Sequence, residues 1–171
     1  MSQWLRKNMN NDHRFFDEET GVYRSKLFSH LVEREVRRAL RYQEFLVVLA
    51  LDLGDQLRQL PNAREVQRLA AEQILREVRT TDIVGRLGEQ LAIALICIAV
   101  EDARLVAERL QARVRAVTPP RHPSSDGPAA VSVGGACFPR SGTDAAALLQ
   151  GSLTALRRAA AEPGGGVWIQ A

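Results

Sequence analysis

Two unbroken apolar runs constrain the fold of this chain most strongly. Residues 45–51 read FLVVLAL, and residues 91–99 read LAIALICIA. Both runs are shorter than the stretch of about 18 apolar residues that a membrane-spanning helix needs. A strand that is covered on both faces shows no alternation of polar and apolar residues. The first run is therefore predicted to be a central strand of a sheet with helices packed around it.

Helices are predicted in four segments outside these two runs. Apolar residues recur at helical spacing or dominate in residues 24–41, 63–79, 102–116 and 144–161. Further strands are predicted at residues 83–87, 131–138 and 167–169, and the run 91–99 is predicted to return antiparallel to 83–87 as a hairpin. The predicted order is α-β-α-β-β-α-β-α-β. It indicates an α+β fold with a central, mostly antiparallel five-stranded sheet flanked by helices.

Composition limits the classes of function. A chain of 171 residues with 46% hydrophobic and 25% charged residues is typical of one compact domain. The net charge is only +3, and arginines alternate with glutamates, as in residues 33–38. This pattern favours solvated helix faces over binding of a nucleic-acid polymer.

The first residues lack the apolar segment of a signal peptide, so we expect a cytoplasmic protein without a membrane contact.

Three other segments are interpreted structurally. Residues 1–16 form a leader, predicted to be helical in part, whose Trp4 and Leu5 would pack on the domain or on a second copy. Residues 118–128 contain four prolines and are predicted to be a surface loop. Cys97 and Cys137 lie in apolar runs without CxxC spacing, which indicates buried thiols. The main domain is placed at residues 17–171.

The most informative motif is residues 79–91, RTTDIVGRLGEQL. It resembles the signature of the GGDEF family of diguanylate cyclases, in which RxxD, a further Arg and then Gly-Gly-Asp/Glu-Glu-Phe follow in order. Here one turn residue is missing, and residues 88–91 read GEQL. Residues 17–24, 131–136 and 155–159 are similar to other family motifs, so the resemblance extends from Asp17 to Ile169. It implies the nucleotide-cyclase-like palm fold.

The resemblance also implies where catalysis would occur. In active members two carboxylates hold Mg²⁺ against the triphosphate. Asp52 matches the first carboxylate, and Glu89 is the only acid left to act as the second. A residue deleted from a tight turn redirects its side chains, and catalytic geometry tolerates little displacement. Asp52 is read either as a residual metal ligand or as a loop or helix-capping carboxylate.

The other catalytic motifs of the family are altered as well. The family reads guanine with Asn and Asp in a stretch that corresponds here to residues 58–64, RQLPNAR, where Asn62 is predicted to be a helix N-cap. The family's phosphate-binding Lys and Arg map onto Ala160 and residues 164–166, which contain no cation. We therefore expect no catalytic residues, no metal site and no cofactor, with Asp52 and Glu89 as vestiges.

One ligand site of the family is matched by this sequence. Many members carry an inhibitory site where RxxD and an Arg on the next helix bind cyclic di-GMP. Arg79 and Asp82 match RxxD, and Arg109 matches the further Arg. Guanidinium groups can stack on purines or bind phosphate, and a carboxylate can accept bonds from guanine. An ion pair between Arg79 and Asp82 near a helix C-terminus would explain both residues without a ligand.

Two hypotheses of different classes follow. The first is a catalytically inactive GGDEF-like signalling domain that acts as a cyclic di-GMP receptor through Arg79, Asp82 and Arg109, or as a protein-interaction or homodimerisation module. The second is a divergent, Mg²⁺-dependent nucleotide cyclase or nucleotidyltransferase that uses Asp52 and Glu89.

Overall fold

The computed structural model describes residues 14–54, 57, 59–118 and 130–170. Residues 1–13 of the leader, Arg58 and most of the proline-rich loop, residues 119–129, lie outside the described residues. The helices of the described part are α1 (Ser25–Tyr42), α2 (Ala63–Glu77), α3 (Val100–Val117) and α4 (Ala145–Ala160). The strands are β1 (Leu46–Asp52), β2 (Ile83–Leu87), β3 (Gln90–Ile96), β4 (Ser132–Phe138) and β5 (Val167–Gln170).

The five strands form one sheet in the order β2-β3-β1-β4-β5. β1 is antiparallel to both β3 and β4, and β2 is antiparallel to β3. Only the pairing of β4 with β5 is parallel within this sheet. The predicted element order and the predicted α+β fold with a mostly antiparallel five-stranded sheet are confirmed.

The central strand β1 is buried on both faces. Val47, Leu49 and Leu51 face a core formed with α2 and α3. Leu46 and Val48 face a second core formed with α1 and α4. The predicted strand is displaced by one residue, because pairing begins at Leu46 and continues to Asp52. Phe45 lies outside the strand and is 53% exposed.

Strand β4, predicted at residues 131–138, is buried at all seven of its residues. Its neighbours β1 and β5 cover its edges, and α4 lies directly on one face. A Cβ atom added at Gly134 would lie 1.9 Å from the backbone nitrogen of Leu156 in α4. The glycine therefore allows the helix backbone to approach the strand more closely than any side chain would permit.

The N-terminal residues of the described part cover the outer edge of β2. The backbone N–H of Tyr23 donates to the carbonyl of Val84 at 3.1 Å, and the N–H of Arg86 donates to the carbonyl of Tyr23 at 2.8 Å. Phe16, which belongs to the predicted leader, forms a β-bridge with Tyr23, and their ring centroids lie 5.1 Å apart. The described residues before α1 are thus fixed to the sheet.

The two cysteines differ in environment. Cys137 is buried in β4, and burial raises the pKa of its thiol to about 11. Cys97 is exposed, so the prediction of two buried thiols is wrong for this residue. The backbone turns away from the sheet at Cys97, which has a φ of 52° directly after β3. In the described ranges, no helix has the length and apolar character to cross a membrane.

The Gly134 contact gives a stability prediction. We expect Gly134→Ala to lower the free energy of unfolding by about 3 kcal/mol or more, because the methyl group meets backbone that cannot move aside. Gly164→Ala is the matched control, since its Cβ meets nothing within 4 Å and only its φ of 79° is unfavourable. That variant should cost about 1 kcal/mol. Equal denaturation midpoints for the two variants would contradict the prediction.

Candidate functional site

The two carboxylates predicted to be catalytic vestiges lie at one pocket. Asp52 ends β1, and Glu89 lies in the β2–β3 turn, where the pairing of Leu51 with Leu91 brings the two elements together. Both acids line a small pocket with Gln67 of α2. Its volume is about 10 Å³, and a cavity needs about 10–15 Å³ to hold one water molecule. The pocket therefore has room for about one water molecule.

The Asp52 carboxylate has a structural partner in the loop that follows β1. Its Oδ2 accepts a hydrogen bond from the backbone N–H of Gly54 at 2.9 Å. Gly54 has a φ of 80°, which favours glycine. This is the Asx-type turn by which an aspartate stabilises a loop after a strand. This bond agrees with the interpretation of Asp52 as a loop carboxylate.

The turn at the tip of the hairpin contains two residues, Gly88 and Glu89. Leu87 pairs directly with Gln90, so Gln90 belongs to β3. The predicted strands, residues 83–87 and 91–99, had placed Gln90 in the turn between them. Gly88 has a φ of 63°, which is typical of a two-residue hairpin turn. Strands β2 and β3 are therefore joined by a two-residue turn, and their pairing continues up to Leu87 and Gln90.

Residues 59–64 lead into the start of α2. Asn62 occupies the N-cap position, but its side chain makes no capping hydrogen bond. Leu57 is buried, and Arg64 forms a salt bridge with Glu19 at 3.0 Å. The predicted N-cap position of Asn62 is confirmed, and the predicted capping bond is not formed.

A cation from α3 lies at the glycine segment 164–166, which itself contains none. Arg115 of α3 places Nη2 at 2.8 Å from the carbonyl of Gly164 and 2.9 Å from that of Gly165. The same atom lies 3.4 Å from the carbonyl of Val131. Burial lowers the pKa of Arg115, and its Nε has no hydrogen-bond partner among the described residues. The guanidinium thus holds the loop before β5 through backbone carbonyls.

Asp82 of the RxxD motif is bonded to backbone. Its Oδ2 accepts from the N–H of Arg79 at 2.9 Å, and its Oδ1 accepts from the N–H of Ile96 at 3.1 Å. The carboxylate joins the connection between α2 and β2 to the end of β3. The bond with Arg79 thus goes to the main chain, whereas the alternative derived from the sequence was an ion pair with its guanidinium. The side chain of Arg79 is exposed.

Arg109 lies beside the end of α2, close in the fold to Arg79. Its Nε is 2.9 Å from Oε2 of Glu77, and its Nη2 is 3.4 Å from the carbonyl of the same residue. Glu77 is the last residue of α2 and stands two positions before Arg79. The fold therefore brings together the end of α2, the RxxD connection and α3, which carry the three residues that the sequence singled out.

Sequence reasoning missed a further arginine at this place. Arg113 lies one helical turn after Arg109 on α3, and its Nε is 3.0 Å from Oε1 of Glu77. One carboxylate is therefore held by two guanidinium groups from another helix. The spacing of four residues between Arg109 and Arg113 places them on one face of α3 and was the available signal.

Comparison with known proteins identifies the family. A family model described as diguanylate cyclase, GGDEF domain, matches residues 14–165. The chain belongs to the GGDEF family. Its resemblance to that family, stated from the motifs above, is confirmed. No curated protein matches the chain.

Solved GGDEF structures share this fold. The GGDEF domain of DgcB from Caulobacter crescentus, solved in complex with c-di-GMP, has a TM-score of 0.80 at 17% identity, over 93% of this chain and 97% of that one. The GGDEF domain of YfiN from Pseudomonas aeruginosa has a TM-score of 0.78 at 24% identity, over 90% and 93%. The diguanylate cyclase SiaD from Pseudomonas aeruginosa, in complex with its activator SiaC, has a TM-score of 0.76 at 22% identity, over 98% and 67%.

Proposed function

We propose that this GGDEF domain binds cyclic di-GMP without synthesising it. The observation that carries the proposal is the position of Arg109, which lies beside the RxxD connection in contact with Glu77. Arg79 is exposed and follows Glu77 by two residues, so Arg79 and Arg109 lie near the same short segment of backbone. DgcB, which shares the fold, has been solved with c-di-GMP.

The chemistry of these residues suits a cyclic dinucleotide. Its two phosphodiesters carry negative charge, and a guanidinium can donate paired hydrogen bonds to each of them or to guanine O6 and N7. Each carboxylate oxygen of Asp82 accepts one backbone N–H and retains a further lone pair for a donor from guanine. The same backbone bonds hold Asp82 in place before a ligand arrives.

The opposite end of strands β2 and β3, where Asp52 and Glu89 lie, supports the proposed loss of synthesis. The pocket at Asp52 and Glu89 has room for about one water molecule, whereas ligand pockets commonly measure about 300–1,000 Å³. Asp52 already accepts a bond from the loop after β1. Arg115, the cation at the glycine segment, is engaged with three backbone carbonyls. A triphosphate would need these groups free and in other positions.

Isothermal titration calorimetry with cyclic di-GMP tests the binding proposal. We expect binding by the unaltered domain and affinity losses of about tenfold or more in Arg79→Ala and Arg109→Ala, since bonds to charged groups contribute about 1.5–3 kcal/mol. Arg104→Ala is the matched control, because Arg104 is exposed on the same helix as Arg109. Equal affinities for all four proteins would contradict the assigned site.

Incubation with GTP and Mg²⁺ or Mn²⁺ tests the proposed inactivity. We expect no cyclic dinucleotide from the unaltered domain or from Asp52→Ala, because the pocket at Asp52 has room for about one water molecule. An active diguanylate cyclase serves as the positive control for product analysis. Turnover that disappears in Asp52→Ala would support the alternative, a divergent nucleotide cyclase or nucleotidyltransferase with Glu89 as second metal ligand.

A separate observation favours self-association as a second function. The exposed side chain of Phe45 stands between two clefts of about 150 and 220 Å³, and Phe45 and Phe138 line both of them. Leu40, which lines the larger cleft, is 65% exposed. A protruding ring beside a cleft is self-complementary under two-fold symmetry, because each Phe45 can enter the cleft of the other copy. The occupant we propose is a second copy of this chain.

Light scattering after size-exclusion chromatography tests this surface. We expect a dimer whose fraction rises with protein concentration and a monomer for Phe45→Asp, since a buried carboxylate without a partner opposes association. Leu105→Asp is the control, because Leu105 is similarly exposed at 63% but lies on α3. A monomer at every concentration of the unaltered domain would rule the dimer out.

A further inference from the structure

Glu77 contacts both arginines on the face of α3 next to the RxxD connection. Its two oxygens are bound separately, Oε2 by Nε of Arg109 at 2.9 Å and Oε1 by Nε of Arg113 at 3.0 Å. The Glu77 side chain is 20% exposed, whereas those of Arg109 and Arg113 are 50% and 60% exposed. The carboxylate is thus inserted between two cations that remain accessible from solvent.

The charges at this place do not balance. Glu77 supplies one negative charge to Arg109 and Arg113, and Arg79 adds a third guanidinium two residues after Glu77. Asp82 adds a second negative charge against these three positive ones, and it has a backbone donor on each oxygen. The group therefore keeps a net positive charge, and it presents donors in the arrangement that a two-oxygen anion accepts.

A phosphodiester offers the same pair of anionic oxygens as a carboxylate. We propose that Glu77 occupies the phosphate position between Arg109 and Arg113 in the unliganded domain, and that a phosphodiester of the cyclic dinucleotide displaces it. Arg113 is then a ligand-binding residue in addition to Arg79, Asp82 and Arg109. This inference rests on the proposed binding of cyclic di-GMP.

The free energy needed to displace Glu77 lowers the apparent affinity for the ligand. The ligand must break two partly exposed ion pairs before it gains its own bonds to the same guanidinium groups. Such pairs contribute about 0.2–1 kcal/mol each, so the loss of both from the unliganded state should strengthen binding by about two- to thirtyfold. A carboxylate that instead positions Arg109 for the ligand would have the opposite effect when removed.

The test is calorimetry with cyclic di-GMP on Glu77→Gln and a matched control. We expect E77Q to bind about two- to thirtyfold more tightly than the unaltered domain. Glu65→Gln has the same change in charge and also removes an ion-paired acid of α2, the partner of Arg68. It lies twelve residues earlier, about 18 Å along the helix, and should leave the affinity unchanged.

A second pair of variants isolates Arg113. In the single variant Arg113→Ala, a lost ligand contact and a weakened competitor would partly cancel. With E77Q as the reference, addition of Arg113→Ala removes only the contact with the ligand, and we expect an affinity about tenfold lower. Circular dichroism verifies that each variant is folded, and Glu77→Met, of similar volume, replaces E77Q if the latter is not.

The outcomes separate this inference from the function on which it rests. If the unaltered domain binds and E77Q binds equally or more weakly, the displacement is wrong and the receptor function stands. If E77Q and its Arg113→Ala derivative bind equally, Arg113 is not a ligand-binding residue. If neither the unaltered domain nor E77Q binds, both the receptor function and the displacement are overturned.

Discussion

Because β1 is hydrogen-bonded on both sides and covered on both faces, no part of its backbone between Leu46 and Leu51 can exchange bonds with water. That burial fixes the register of β3 and β4 against it, since a shift by one residue would turn every side chain to the other core. The positions of Asp52 and of the hairpin turn follow from this register. The small pocket between Asp52 and Glu89 is thus a consequence of packing at the centre of the sheet.

The central part of the fold was predictable because its signals are local. Continuous apolar runs indicate β1 and β3, and helical spacing indicates the four helices. The ends of these elements were less predictable. Phe45 continues the apolar run but has no pairing partner, and Gln90 is polar but pairs with Leu87. Both strand boundaries depend on pairing between strands, and an apolar run does not indicate where that pairing begins.

Contacts between residues far apart in sequence were not predictable. Arg115 bonds to Gly164 across 49 positions, and Arg109 bonds to Glu77 across 32. The motif gave Arg79, Asp82 and Arg109 as candidates, but it gave neither the backbone bonds of Asp82 nor the presence of Arg113. Cys97 was assigned to the core because it follows β3 in an apolar run, although the chain leaves the sheet there at a positive φ. Only the folded backbone shows these relations.

The bonds between Tyr23 and β2 have a consequence for assembly. An open sheet can add strands of other chains at each of its two edges, and growth into a fibre needs both. Tyr23 already uses the outward carbonyl of Val84 and the outward N–H of Arg86. An extended segment could pair with β2 only after the residues before α1 had detached. The β2 edge is thus protected against polymerisation by the protein's own chain.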